Sequence, residues 1–159
     1  MDYPITPAIR FLRDKKVVFT PHVYEYVEKG GTSVSAEALG VDEHTVVKTL
    51  VFETNDNRPL IVLMHGDREV SMKALARLLK VKAIVPATPE RASKVTGYLV
   101  GGTSPFGTKT RVPVYVEGSI FDLNRIYING GKRGFLVAIR PRVLKDVLPV
   151  EEVEVAVER

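Results

Sequence analysis

Cysteine is absent from this 159-residue chain. That absence excludes disulfides, thiolate metal sites and a thiol nucleophile supplied by the protein, and it agrees with a reducing compartment such as the cytosol. Long apolar runs are missing as well. None approaches the roughly 20 residues that span a bilayer, so no membrane partner is expected. The opening MDYPITPAIRFL lacks the basic region and long apolar core of a signal peptide, and a cytoplasmic location is the expectation. Histidine is scarce: His22, His44 and His65 show no metal-ligand spacing, so structural or surface roles, and no metal, are expected of them. No G-x-S-x-G elbow surrounds Ser104, TSPFGTKT lacks the G-K-[ST] end of a phosphate-binding loop, and dinucleotide-binding spacing is absent.

What is present is an ordinary globular composition, 45% apolar and 26% charged. A chain of this length forms one domain, 1–159, burying roughly 70% of its unfolded surface. The net charge of +4 is uneven, because Glu151, Glu152, Glu154 and Glu158 crowd the end. Residues 1–150 carry 22 Lys and Arg against 15 Asp and Glu, a balance that suits a polyanion such as RNA and equally a soluble basic surface.

Thr6-Pro7 is a cap and first-turn pair that opens a helix running to about residue 16, with Ala8, Ile9, Phe11 and Leu12 on its buried face. Residues 17–19 and 22–26 read as extended, broken at Pro21. Ser33 or Ser35 is placed to cap a short helix ending at Gly40. Strands over 48–53 and 60–64 flank the Asn55-Asp56-Asn57 turn as a hairpin. Ser71 caps a helix whose Met72, Leu75, Ala76 and Leu79 share one side. A strand at 83–85, a helix from Thr88-Pro89 to Gly97 and strands at 112–117, 125–129 and 135–139 follow. Pro141 starts a last helix, and 153–157 reads as a closing strand. Hairpins mixed with helical crossovers give a single compact α/β domain, a mixed β-sheet flanked by helices.

Two glycine-rich segments stand out, TGYLVGGTSPFG over 96–107 and YINGGKRG over 127–134. Paired glycines admit positive φ and close approach of a ligand to the backbone. Two such loops suit a site built from N–H groups, for a carbonyl oxygen, a phosphate or a ribose. Lys48 heads the strand VVKTLVF, where it can hold a phosphate or stay solvated. Lys73, Arg77 and Lys80 share a helix face that fits either an RNA backbone or solvent. Lys109, Arg111, Lys132 and Arg133 border the glycine segments. Tyr24 and Tyr26 can stack on a base, bond a substrate or pack in the core.

These residues resemble the YbaK family of aminoacyl-tRNA editing proteins. TPAIRFL, VVKTLVF, TGYLVGGTSPFG and YINGGKRG match in order, and the likeness runs from about Thr6 to about Leu148. The resemblance implies the fold shared with the editing domain of bacterial prolyl-tRNA synthetases. It implies a deacylase for Cys-tRNA(Pro), with the substrate's own thiol attacking the ester to leave a thiolactone. It assigns Lys48 to the phosphate of the terminal adenosine, and the G-x-x-x-P loop at 101–105, with Gly101, to the aminoacyl carbonyl. Tyr24, Gly102, Thr103, Ser104, Pro105, Asn129, Gly130 and Gly131 are the expected substrate contacts. Lys73, Arg77, Lys109, Arg111, Lys132 and Arg133 are the expected tRNA contacts. The implied partners are tRNA and prolyl-tRNA synthetase, with no cofactor. The chain departs from the family pattern at EKGGTSVS, residues 28–35, where relatives carry bulkier polar or aromatic residues, and at Asn129, where serine is usual. Alternatives are a deacylase for Ala-tRNA(Pro) or another small aminoacyl-tRNA, and a non-catalytic module that binds tRNA or a synthetase.

Overall fold

The computed structural model describes residues 2–159. The apolar run PLIVLMH forms β3 (Pro59–His65), buried at every residue after Pro59. It lies between β2 (Val46–Thr54), antiparallel, and β6 (Val114–Glu117), parallel. Alternate residues of β3 serve two layers. Ile61 and Leu63 face one core, while Leu60, Val62 and Met64 face another. Burial on both faces explains why this strand is continuously apolar instead of alternating.

The strands β1 (Thr20–Val23), β5 (Ile84–Pro86), β7 (Ile126–Lys132), β8 (Phe135–Ile139) and β9 (Val150–Val153) complete an eight-stranded mixed sheet. Its order is β1-β8-β7-β2-β3-β6-β9, with β5 paired to β2. A separate ribbon joins β4 (Arg68–Val70) to β10 (Ala156–Glu158). Helices flank the sheet, as the sequence predicts. α1 (Pro7–Asp14) packs Ala8, Ile9 and Leu12 into the first core, together with Leu144 of α5 (Val143–Val147). α3 (Met72–Leu79) packs Leu75 and Ala76 into the second. Full burial of a leucine such as Leu75 contributes about 1.5–3 kcal/mol. α2 (Gly31–Leu39) covers a smaller cluster of Ala36, Val46 and Leu136.

The caps at Thr6, Ser71 and Thr88 form as expected, each accepting a bond from a backbone N–H three residues on. α4 (Pro89–Thr96) stops at Gly97, whose φ is +81°. Several elements differ from expectation for local reasons. α2 begins at Gly31, and neither Ser33 nor Ser35 caps it. Their hydroxyls instead donate to the carbonyls of Gly30 and Thr32, three residues back. β1 runs through Pro21, which an edge strand tolerates because its outer flank needs no donor. Residues 17–19 lie in no strand. The closing strand divides: β9 joins the main sheet and β10 joins β4. Glu117, 6% exposed, accepts the N–H groups of Val155 and Ala156 at 2.8 and 3.1 Å and draws the chain away between the two pairings.

One irregularity in the sheet creates the site. β7 pairs with β2 only at Val46 and Val47, and β5 pairs with the same flank only at Phe52–Thr54. Between them, no strand among the described residues pairs with 48–51 of β2 on that flank, so the sheet is split there.

Packing fixes the second glycine segment. A Cβ on Gly130 would lie 2.5 Å from the Phe135 ring, itself 1% exposed in the first core. Gly130→Ala is expected to cost about 1–3 kcal/mol through overpacking. Urea denaturation of the two proteins measures it, and an unchanged midpoint would contradict this packing.

Candidate active site in a split of the sheet

The split opens into a cleft of about 640 Å³. Residues 46–51 of β2 form its floor. Tyr24 and the chain from Val27 through the start of α2 line one part of it, and Val100, Gly101, Thr103, Asn129 and Arg133 line another, with Tyr26 packed against Gly101 and Arg133. Glu43, Gly66 and Arg159 also line it.

Strand alternation places the floor groups. The Val51 carbonyl accepts from the Ala87 N–H on the split flank. With a period of two, the N–H and C=O of Thr49 face the same flank, where no strand meets them. The Thr49 hydroxyl is also buried without a partner among the described residues. Lys48 shares its face with Val46 and Leu50, and its side chain is 18% exposed. Its Nζ lies 3.4 Å from the Gly66 carbonyl and 3.7 Å from Glu69 Oε1.

The glycine wall is held from both sides. Gly101 has φ +89°, and a Cβ there would lie 2.5 Å from the Tyr26 hydroxyl oxygen. Asn129 clamps the two glycine segments together. Its Nδ2 donates to the Gly101 carbonyl at 3.1 Å, while its Oδ1 accepts from the Gly131 and Lys132 N–H groups. Arg133 Nε donates to the Val100 carbonyl at 2.8 Å, and its guanidinium sits 5.4 Å from the Tyr26 ring centroid. Among the described residues, the backbone N–H groups of Gly101 and Thr103 donate to nothing. Burial pushes the Tyr24 hydroxyl above its usual pKa.

Lys48, Gly101, Thr103, Asn129, Tyr24 and Arg133 thus meet in one cleft. Other expected contacts lie outside it. Ser104 is fully buried, and its Oγ accepts from the Phe106 N–H, so its hydroxyl serves the loop's own fold. Pro105 is buried beside it. Gly102 allows contact with the backbone of Lys132 and Arg133, Gly130 packs on Phe135, and Gly131, at φ +98°, packs on Tyr98 and Thr6. Tyr98 donates to the Phe106 carbonyl, and burial pushes its hydroxyl up to about 12. These three glycines act through packing rather than as cleft lining. Lys109, Arg111 and Lys132 are exposed outside the cleft. Lys73 and Arg77 line a different groove of about 390 Å³, with Lys82 and Met72.

The sequence reading missed Thr32, Glu43, Thr49 and Arg159. Only Thr49 carried a signal, as a polar residue inside VVKTLVF. It also missed a histidine cluster. His44 and His65 stack with centroids 3.7 Å apart, and ligand atoms of His44, His65 and Asp67 fall within 4.8 Å of one another. Hydrogen bonds account for this grouping. His44 Nδ1 is 2.8 Å from Asp67 Oδ1, His65 Nδ1 is 2.8 Å from the His44 carbonyl, and His65 Nε2 is 2.7 Å from Ser119 Oγ. With both nitrogens of His65 and one of His44 engaged, His44 Nε2 is the one ring nitrogen of the cluster without a hydrogen-bond partner among the described residues. No histidine lines the cleft.

The aminoacyl-tRNA editing domain model matches residues 29–147, which span the Lys48 strand and both glycine segments. The chain belongs to the aminoacyl-tRNA editing domain family. EbsC of Enterococcus faecalis, named as a candidate Cys-tRNA(Pro)/Cys-tRNA(Cys) deacylase, is 29% identical over 87% of this chain and 85% of its own. A proline–tRNA ligase of Caldicellulosiruptor bescii is 30% identical over 77% of this chain, a match that occupies 20% of the ligase. Two solved structures share the fold. One, titled as a trans-editing enzyme candidate for prolyl-tRNA synthetase, gives a TM-score of 0.81 at 21% identity over 96% of this chain and 98% of its own. The hypothetical protein APE2540 gives 0.87 at 20% identity over 95% and 99%. The editing fold therefore carries the mixed sheet and helices expected from the sequence.

The histidine cluster predicts a pH dependence. Burial holds the His65 ring below its usual pKa of 6.5. Below pH 6.5 the unfolded ring takes up a proton that the folded ring refuses, so the unfolded state binds more protons. Stability is then lost as pH falls through 6.5, until the lower folded pKa is reached. Urea unfolding at about pH 7.5 and about pH 5.5 is expected to show a larger acid-side loss in wild type than in His65→Gln. Equal losses would contradict a neutral, buried His65.

Proposed function

We propose that this protein is a trans-editing aminoacyl-tRNA deacylase that removes cysteine from mischarged Cys-tRNA(Pro), using the substrate's own thiol as nucleophile. The observation that carries this reading is a cleft that combines a lysine with free backbone N–H groups. Its one hydroxyl–carboxylate contact among the described residues, Thr32 to Glu43, is tied up by Arg159, which holds the carboxylate below its usual pKa and makes it a weak base. The chain has no cysteine, and the cleft's hydroxyls have no lining histidine to activate them. Family membership and the 29% identity to EbsC support the same substrate class.

In this reading the 3′ end of the tRNA enters the split. Lys48 engages the phosphate of the terminal adenosine as a compact cation. The N–H groups of Gly101 and Thr103 receive the ester carbonyl oxygen, and the orphaned polar groups of Thr49 bond the ribose or the amino acid. The thiol gives its proton to solvent water, which returns one to the ribose oxygen later, and its sulfur bonds to the ester carbonyl carbon. The carbonyl oxygen becomes an oxyanion beside the backbone donors. Collapse breaks the carbon–oxygen bond to the ribose, whose oxygen takes up a proton. The products are free tRNA and cysteine thiolactone. An ester is already activated, so orientation and oxyanion stabilisation supply much of the acceleration. Tyr24, Tyr26 and residues 28–35 shape the side-chain pocket. Their small, glycine-rich character bears on which amino acid is preferred. Prolyl-tRNA synthetase is the partner in a ternary complex that presents the correct tRNA.

The tRNA body lies along the basic groove of α3 and β5. Lys73, Arg77 and Lys82 line it, and none of them forms an ion pair among the described residues. Replacing Lys73 and Arg77 with alanine is expected to raise KM for full-length aminoacyl-tRNA while sparing a minimal aminoacyl-adenosine substrate. The slope of log affinity against log salt should fall by about 1–2. An unchanged slope would remove the groove from the tRNA interface.

Release of amino acid from Cys-, Ser- and Ala-tRNA(Pro), by wild type and Lys48→Ala, tests the central reading. Cysteine release is expected to fall about 100-fold or more in Lys48→Ala without loss of fold, and serine release to be slow in both. Equally fast serine or alanine release would overturn thiol attack in favour of a water-mediated deacylase. No turnover of any substrate would favour a binding module.

A further inference from the structure

Arg159 reaches the cleft from β10, outside the residues that the family match covers. Its Nη1 lies 3.4 Å from the Gly66 carbonyl oxygen, and Lys48 Nζ lies 3.4 Å from the same oxygen. Two cations therefore converge on one carbonyl at one end of the split. A single carbonyl carries only a partial charge and does not neutralise them.

Carboxylates currently balance both groups, with unequal grip. Lys48 pairs with Glu69 at 3.7 Å, beyond hydrogen-bonding distance, and the Glu69 side chain is half exposed. Arg159 is bound firmly: Nη1 and Nη2 lie 2.8 and 3.1 Å from the two carboxylate oxygens of Glu43. Glu43 is itself fixed by the Thr32 hydroxyl at 2.7 Å, and the bond from Arg159 holds its carboxyl below the usual pKa range. Thr32 also reaches the Gly66 carbonyl at 3.2 Å. Gly66 has no room for a side chain, since a Cβ would lie 2.6 Å from the Thr32 hydroxyl oxygen. Arg159 is thus aimed by a fixed carboxylate, yet its side chain is 51% exposed and its Nε has no partner among the described residues.

We infer that Arg159 is the second cation of a phosphate subsite, with Lys48, and that Glu43 is its positioning residue. This rests on the reading above and deepens it by adding a residue from outside the family match: the 5′-phosphate of the terminal nucleotide is gripped by the Arg159 guanidinium as well as by the Lys48 ammonium. A guanidinium has five donors in a planar fork, so Arg159 can keep Glu43 and still donate to a phosphate oxygen. Glu69, half exposed, swings away as Lys48 turns to the anion.

Binding of 5′-AMP and of adenosine, measured by calorimetry or NMR titration, tests this without requiring turnover. Wild type is expected to bind AMP about tenfold more tightly than adenosine, and Arg159→Gln to lose most of that preference. Adenosine affinity should stay unchanged in Arg159→Gln, whereas Arg159→Lys should recover part of the AMP preference. Glu43→Gln should weaken AMP to an intermediate degree, because the fork is no longer aimed. A wild type that does not distinguish the two ligands, or an Arg159→Gln that retains the preference, overturns the inference. Equal weakening of AMP and adenosine in Arg159→Gln overturns it too, and assigns Arg159 to holding the cleft wall. If the AMP preference depends on Arg159 but no aminoacyl-tRNA is cleaved, the subsite stands and the deacylase reading fails.

Discussion

The rest of the site depends on one unmet backbone requirement. Between its contacts with β7 and β5, β2 runs with one flank unpaired, and Thr49 presents an N–H, a C=O and a buried hydroxyl with no partner among the described residues. Unpaired polar groups below the surface cost free energy, so a fold retains them only where something else meets them. Here the floor of the cleft is strand backbone rather than loop. The central position of β2, paired along its other flank with the fully buried β3, keeps that floor rigid. A ligand entering the split meets groups already fixed in place, which is the condition for electrostatic stabilisation without reorganisation.

The two glycine segments build the opposite wall by packing on each other. Gly102 lets the first segment touch the backbone of the second, Gly130 and Gly131 let the second settle on Phe135 and Tyr98, and the bonds from Asn129 to the Gly101 carbonyl and from Arg133 to the Val100 carbonyl tie the pair. Val100, Gly101 and Thr103 of the first segment and Asn129 and Arg133 of the second are then left at the cleft surface. The division of labour is physical. Most of the glycines make the wall thin and closely packed, and one, at φ +89° under the Tyr26 hydroxyl, shapes the surface that a ligand meets.

Much of the fold was legible because local signals agreed with the final packing. The caps at Thr6, Ser71 and Thr88 and the turn at residues 55–57 need only short-range chemistry, and they formed where the residues pointed. Misreadings arose where the residue type alone does not decide. Ser33 and Ser35 looked like caps, but both lie inside α2, where their hydroxyls turn back on the carbonyls of Gly30 and Thr32. The final strand looked continuous, but Glu117, far away in sequence, accepts two of its N–H groups and divides it. Lys48 and Gly101 could be placed through their segments. Thr32, Glu43 and Arg159 could not, since nothing in their spacing announces that Thr32 and Arg159 meet at both the Glu43 carboxylate and the Gly66 carbonyl. Ser104 lies inside the most distinctive segment, yet it is buried and its hydroxyl oxygen accepts a bond from the loop's own Phe106 N–H, which the sequence does not announce.

The most direct test of this account is NMR mapping of a non-cleavable ligand, adenosine 5′-monophosphate carrying cysteine through a 3′-amide. The account predicts that the largest backbone amide shifts fall at Lys48, Thr49, Gly101 and Thr103, the two sides of the split. Shifts confined to the groove of Lys73, Arg77 and Lys82, with the amides of β2 and the first glycine segment unmoved, would contradict it.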